Sequence, residues 1–107
     1  MRIWDAENRK QLSTYLFYSG KANVNIADME NQYKARSITA NDANSLILVG
    51  FYDGSLGAYA LTPEDFKIKE IRKWKLAAEW ISDIKISPDQ AYFAAGSHDN
   101  AIYIYKI

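Results

Sequence analysis

The residue types used in hydrolytic catalysis occur side by side once, in the run Ser97-His98-Asp99. A histidine that acts as a general base needs a nucleophile within hydrogen-bond reach and an acid that orients its ring. Successive side chains of an extended chain point to opposite sides, so three neighbours do not converge on one reacting atom. Ser, Asp and Asn also favour turns. We therefore interpret the run as a turn, and we assign no catalytic residue.

No other pattern predicts an enzyme, a cofactor or a metal site. The sequence has no glycine-rich phosphate loop and no HExxH motif. It has no cysteine, which excludes a thiolate metal site and a disulfide framework and favours the cytosol over an oxidising compartment. We predict a non-enzymatic protein with no metal and no cofactor.

Composition and charge restrict the partners. The formal net charge is zero and the pI is about 6.6, whereas nucleic-acid binders present a basic face. No apolar run approaches the roughly 20 residues of a membrane helix, and the N-terminus lacks the apolar core of a signal peptide. Hydrophobic residues make up 49% of the chain, which is enough for a packed core. We expect a cytoplasmic protein that binds neither nucleic acid nor membrane.

The turn at His98 lies within a pattern of three short strands. Residues 82–87 alternate apolar and polar, as a half-buried strand does. Residues 92–96 have no polar face, which is typical of a central strand covered on both sides. Residues 101–106 alternate again, between Ile and Tyr. Because tight turns separate the three segments, we predict an antiparallel meander.

The same pattern occurs 46 residues earlier, without a gap. Asp53 aligns with Asp99, and we interpret both as acceptors for turn N–H groups. Tyr59 aligns with Tyr105, and we interpret both as core residues. The chain is therefore a tandem repeat. Further aligned pairs are Ile38 with Ile84, Gly50 with Gly96, and Gly54 with Asn100, the last pair tolerating left-handed backbone.

A third trace of the repeat opens the chain. Trp4-Asp5 ends the first apolar segment, and this dipeptide gives the WD-repeat β-propellers their name. Trp4 takes the place that Tyr59 and Tyr105 have in the two full copies. The predicted fold is all-β, with roughly nine strands in a little over two propeller blades, each a four-stranded antiparallel meander. The structural repeat residues are Trp4, Asp5, Asp53, Tyr59, Asp99 and Tyr105.

The repeat also sets the expected boundaries. Residues 1–5 end a preceding blade, 6–60 form the first repeat and 61–107 the second. Segments 11–18 and 23–29 both have strand character, and the sequence does not decide which is the outer strand of the first blade.

Five cations lie close together at residues 67–75, which we name the basic segment, opposed only by Glu70. Phe66 and Ile68 follow strand phase but Ile71 and Trp74 do not, which predicts a bulged outer strand. One interpretation is an edge strand protected by charge. The other is a docking stripe for an acidic partner, helped by two nearby Trp residues that otherwise belong to the core. The candidate partner-binding residues are Lys67, Lys69, Arg72, Lys73, Trp74, Lys75 and Trp80.

The last repeat resembles those of the echinoderm microtubule-associated-protein-like family. The resemblance is carried by EWISDIKISPD at 79–89, GSHDN at 96–100 and IYIY at 102–105. Tyr105 stands where WD repeats usually have Trp, so their Asp-His-Ser-Trp network is incomplete here. The resemblance implies tandem propellers that associate with tubulin or microtubules and with other proteins, and a cytoskeletal location.

These observations predict a protein–protein interaction scaffold, part of a larger cytoskeleton- or microtubule-associated protein. The alternative is an enzyme or a small-ligand-binding propeller with its site in loops facing the channel. Propellers have four to eight blades. We therefore expect a longer parent chain or a homo-oligomer, in which an unpaired segment 11–18 of one copy lies beside 101–106 of another.

Overall fold

A computed structural model describes residues 1–15, 17, 34–41, 45–62 and 64–107. These residues form strands and contain no helix, so no segment among them could span a membrane as a helix. The strands pair antiparallel in sequence order, as sheets β1-β2, β3-β4-β5-β6 and β7-β8-β9, which confirms the predicted meanders. The strands are β1 Arg2–Asp5, β2 Lys10–Thr14, β3 Ala35–Asn41, β4 Leu46–Phe51, β5 Ser55–Leu61, β6 Ile68–Lys75, β7 Ile81–Ile86, β8 Tyr92–Ser97 and β9 Ile102–Lys106.

The tight turns use the backbone that the repeat predicts. Gly54, in the β4–β5 turn, has φ 88°, and Asn100, its equivalent in the β8–β9 turn, has φ 71°. Both values lie in the left-handed region, which Gly and Asn tolerate best. A Cβ at Gly54 would also collide with the carbonyl oxygen of Ala77, so this turn requires glycine.

Bulges occur at matching places in the repeat, and an outer-strand bulge occurs in β2 at Leu12 as well as in β6. Arg36 has no partner in the ladder between β3 and β4, and Ser82, its repeat equivalent, has none between β7 and β8. In β6, Glu70 and Arg72 pair with successive residues of β5, which leaves Ile71 extra. The predicted bulged outer strand is thereby confirmed, and its start is Ile68 rather than Phe66.

The core lies on both faces of the four-stranded sheet. Leu48 and Leu56 face the third sheet, where they pack with Ile81, Ile84 and Phe93. The opposite face of the four-stranded sheet packs against the β1-β2 sheet and against the residues that follow β2. Its buried residues are Ile47, Val49, Phe51 and Tyr59, and they meet Met1, Ile3, Tyr15 and Phe17. Since β4 is covered on both sides, its uninterrupted apolar sequence is explained.

The first outer strand differs from expectation. The prediction that segment 11–18 is unpaired is wrong, because β2 pairs with β1 of the same chain. The strand ends at Thr14, and the next residue, Tyr15, bonds through its N–H to the carbonyl of Met1 at 2.7 Å. The competing segment, 23–29, lies outside the described residues.

The two aligned tyrosines have different environments. Tyr59 is 1% exposed, as a core residue should be, and burial raises its pKa. Tyr105 is 42% exposed, so its interpretation as a core residue is wrong. Its ring stacks on Phe93 and meets the edge of Trp74, but β9 is the last strand of its sheet and leaves it partly uncovered.

Candidate functional site

The inner cations of the basic segment contact their own sheet. The ammonium of Lys75 donates a hydrogen bond to the carbonyl of Asp53. The Nζ of Lys73 lies 4.2 Å from the centroid of the Phe51 ring, which is fully buried. These two cations therefore cover the sheet that carries them.

The remaining contacts of the basic segment are also internal. The Cζ of Arg72 lies 4.8 Å from the Trp74 ring centroid, and Trp74 packs in the core between the second and third sheets. Lys67 forms an exposed ion pair with Asp65 at 3.8 Å. Lys69 is exposed on β6. The geometry thus gives most of these side chains a role within the blade.

A second group of aromatic and cationic side chains lies where the chain enters β3 and β7. The N–H of Tyr52 bonds to the carbonyl of Lys34 at 3.0 Å, and the N–H of His98 bonds to the carbonyl of Trp80 at the same distance. Lys34 and Trp80 are repeat equivalents, as are Tyr52 and His98. The same backbone geometry therefore places each pair of side chains together. We name Lys34, Arg36, Tyr52, Trp80 and His98 the turn-end cluster.

The rings of the turn-end cluster form a row across the two sheets. The Nζ of Lys34 lies 4.7 Å from the Tyr52 centroid, and the Tyr52 and Trp80 centroids are 5.1 Å apart. The His98 ring follows, 4.9 Å from Trp80 in an edge contact. The Cζ of Arg36 lies 5.1 Å from the Trp80 centroid. Of the sequence candidates only Trp80 belongs to this row, and Trp74 does not contact it. The 46-residue shift contained a signal for Lys34, Tyr52 and His98, since it aligns Lys34 with Trp80 and Tyr52 with His98.

The position of Arg36 results from the bulge in β3. Ala35 pairs with Phe51 and Ser37 with Gly50, so Arg36 is the additional residue between them. Bulges commonly redirect a side chain out of the regular alternation. At the equivalent bulge in β7 the residue is Ser82, whose hydroxyl donates to a backbone carbonyl at 3.1 Å. Both copies of the repeat therefore have the bulge, and the equivalent position accepts serine in place of arginine.

The turn-end cluster has positive charge without a counterion in the described part of the chain. Neither Lys34 nor Arg36 forms an ion pair there, and both are exposed. Cations over aromatic rings gain about 0.5–1 kcal/mol at exposed sites and keep their charge available. Trp, Tyr and Arg are also the residues enriched at the centres of protein interfaces.

The Ser97-His98-Asp99 run is not arranged as a catalytic triad. The hydroxyl of Ser97 donates to the carbonyl of Glu79 at 2.9 Å. The Asp99 carboxylate accepts from the hydroxyl of Tyr103 at 2.6 Å, and also from backbone N–H groups. The Tyr103 hydrogen bond is the largest cause that lowers the pKa of Asp99, and the same bond raises the pKa of Tyr103.

The other repeat residues are also placed in turns or at the surface. Asp53 accepts from the backbone N–H of Ser55 and from its hydroxyl, both at 2.9 Å. Asp5 accepts from the backbone N–H groups of Glu7 and Asn8 in the β1–β2 turn. Trp4 is exposed on β1. The described residues include no group of three or more His, Asp or Glu side chains suited to a metal ion.

Two comparisons place the chain among WD-repeat sequences and propeller folds. It is 30% identical to the ciliary WD repeat-containing protein ctxp80 of Euplotoides octocarinatus, over 97% of this chain and 15% of that protein. It is 55% identical over 29 residues to human echinoderm microtubule-associated protein-like 2, which is 27% of this chain and 4% of that protein. A β-propeller domain of Cps50 (Swd1) from Myceliophteria thermophila superposes with a TM-score of 0.61 at 17% identity, over 92% of this chain and 31% of that one. No family model matches.

The comparisons agree with the sheet topology on the fold. The chain consists of β-propeller blades, and its sequence is similar to WD-repeat proteins. It spans no more than 15% of the length of the curated relatives described above.

Proposed function

We propose that this WD-repeat β-propeller segment is part of a non-enzymatic protein–protein interaction scaffold, and that it contacts partners through the turn-end cluster. The observation that carries the proposal is the row formed by Lys34, Tyr52, Trp80 and His98, with Arg36 beside it. It joins two neighbouring blades and exposes cations that have no counterion in the described residues. Such a composition suits a partner surface.

We propose further that the parent protein is cytoplasmic and cytoskeletal, with microtubules as a partner. The names of two relatives support this: one is a ciliary protein and the other a microtubule-associated protein. The basic segment remains a second candidate surface for the same partner. Its charge is partly taken up by internal contacts, such as those of Lys73 and Lys75.

Microtubule cosedimentation tests the proposal and separates the two surfaces. The wild-type chain should pellet with microtubules, and Arg36→Ser should reduce the bound fraction, because serine occupies the equivalent bulge at Ser82 and preserves the fold. The matched control is Lys67→Glu with Lys69→Glu, since both side chains are exposed on the outer strand region. Lys73 is left intact because it covers Phe51.

Each result has a defined meaning. Loss of binding in the Lys67/Lys69 variant, with Arg36→Ser unchanged, would assign the docking surface to the basic segment instead. Failure of the wild type to pellet would contradict the proposed microtubule association.

A further inference from the structure

We infer that the turn-end cluster binds an acidic protein segment, whose carboxylates pair with Arg36 and Lys34 while its apolar groups lie on the aromatic row. The inference rests on the proposed function and adds the chemical class of the partner. It is based on the positive charges of Lys34 and Arg36, on their available hydrogen-bond donors, and on the aromatic rings beside them.

The turn-end cluster carries two positive charges. Lys34 and Arg36 are exposed cations, and neither has a carboxylate within ion-pair distance among the residues that the structure describes. Asp99, the acid next to His98, accepts three hydrogen bonds, from Tyr103 and from two backbone N–H groups. The Asp99 carboxylate keeps its negative charge, but its contacts are with these three donors and not with Lys34 or Arg36. A partner that brings negative charge compensates the two cations.

The two cations also keep hydrogen-bond donors available. Arg36 lies over the Trp80 ring and Lys34 lies over the Tyr52 ring. A cation over a ring keeps the N–H donors that point away from the ring available to another acceptor. A guanidinium has five N–H donors in a planar fork that fits a carboxylate in a bidentate manner. An ammonium acts instead as a point charge with three donors. The site therefore offers one directional and one non-directional contact for carboxylates.

The aromatic row favours a polypeptide over a simple anion. The Tyr52 and Trp80 centroids are 5.1 Å apart, and His98 extends the row beyond Trp80. The half-buried Tyr52 and Trp80 rings and the exposed His98 ring provide partly accessible apolar surface next to the two cations, which suits carboxylates and apolar side chains that alternate in one segment. A nucleic acid would require a wider basic face than two cations in a chain of zero net charge.

Fluorescence anisotropy tests the inference with two labelled decapeptides. The acidic peptide consists of two consecutive copies of Glu-Glu-Phe-Glu-Glu. The amide peptide has the same sequence with every glutamate replaced by glutamine. The acidic peptide should bind the wild-type chain. The amide peptide should bind with an affinity at least about tenfold lower, since a hydrogen bond to a charged group contributes roughly that factor. Added salt should weaken only the acidic complex.

Variants locate the contact. Arg36→Ser should lose about tenfold in affinity for the acidic peptide. Lys67→Ala with Lys69→Ala should bind as the wild type does, and the melting temperatures of the variants verify that the fold is kept. Arg36→Glu should reverse the preference toward a peptide with lysine in place of glutamate.

Several results would overturn the inference. Equal affinity for the acidic and amide peptides would remove the role of charge, while leaving a protein-binding role that the microtubule assay tests separately. Loss of binding in the Lys67/Lys69 variant alone would move the acidic site to the basic segment. Binding to phosphatidylserine vesicles, lost in Arg36→Ser, with no binding of the acidic peptide would identify a membrane surface instead.

Discussion

Asp99 and Ser97 both stabilise the turn between β8 and β9, and Asp99 does so through its carboxylate. Its carboxylate accepts from Tyr103 and from the backbone N–H groups of Ala78 and Ala101, so it connects the turn to the segment before β7. His98, next to it, contributes a ring contact with Trp80. At the residue scale, the acid stabilises the blade and the histidine belongs to a surface.

We predict that Asp99→Ala lowers the melting temperature by several degrees and by more than His98→Ala. The first change leaves three donors without their acceptor, whereas the second removes one edge contact between rings. Thermal denaturation followed by circular dichroism measures both. Equal melting temperatures would show that the carboxylate has no special role in the turn.

We also predict an acid-dependent loss of stability that involves Asp99. Its pKa is lowered below the ordinary value of 3.8 in the folded state, mainly by the Tyr103 hydrogen bond. A lowered folded-state pKa contributes stability above the unfolded-state pKa, and that stability is lost as the pH falls through the folded-state value. The melting temperature should thus fall as the pH is lowered from about 5 through 3.8 and below, and Asp99→Asn should reduce the slope. An unchanged slope in Asp99→Asn would assign the acid sensitivity to other carboxylates.

At the scale of elements, Gly50 and its repeat equivalent Gly96 differ in the space that surrounds them. A Cβ on Gly50 in β4 would lie 2.5 Å from the Ile81 side chain of β7 and from the Ser37 hydroxyl. A Cβ on Gly96 in β8 would come no closer than 3.6 Å, to the Ser82 hydroxyl. The difference arises because β7 packs against β4, while the described residues place no further sheet against β8 on its outer side. Gly50 is therefore a residue of the contact between blades.

We predict that Gly50→Ala lowers the free energy of unfolding by about 1–3 kcal/mol, since it overfills a packed contact. Gly96→Ala, the matched control, should be neutral or slightly stabilising, because it removes glycine entropy from a strand with room for a methyl group. Urea denaturation of the two variants measures the difference. If both cost the same, the close approach of β4 and β7 is wrong.

The elements were predicted from the sequence better than the site was. Period-2 alternation and the 46-residue shift predicted the meanders, the left-handed residues Gly54 and Asn100 and a bulge in the outer strand, which the structure places at Ile71. The turn-end cluster was missed because it depends on how one blade lies against the next, which brings Tyr52 to Trp80. Alternation along a strand specifies its faces, but it contains no information on the angle between sheets.

At the scale of the molecule, the outer face of the third sheet is uncovered among the described residues. Ile102 is 76% exposed and Ile104 69% exposed. Their repeat equivalents in β5, Leu56 and Ala58, are buried against the third sheet. A repeat that buries its apolar face only against a neighbour needs another blade at this position. We propose that a blade of the same protein or of a second copy packs there.

The stacking of blades is tested most directly by light scattering coupled to size-exclusion chromatography on the 107-residue chain and on its Ile102→Thr, Ile104→Thr variant. The exposed face predicts that the wild type self-associates at micromolar concentration, with a mass well above 12.2 kDa that rises with concentration. The variant should shift toward the monomer, because it removes apolar surface from that face alone. A wild type that elutes as a monodisperse 12.2 kDa monomer with a cooperative melt would contradict the account.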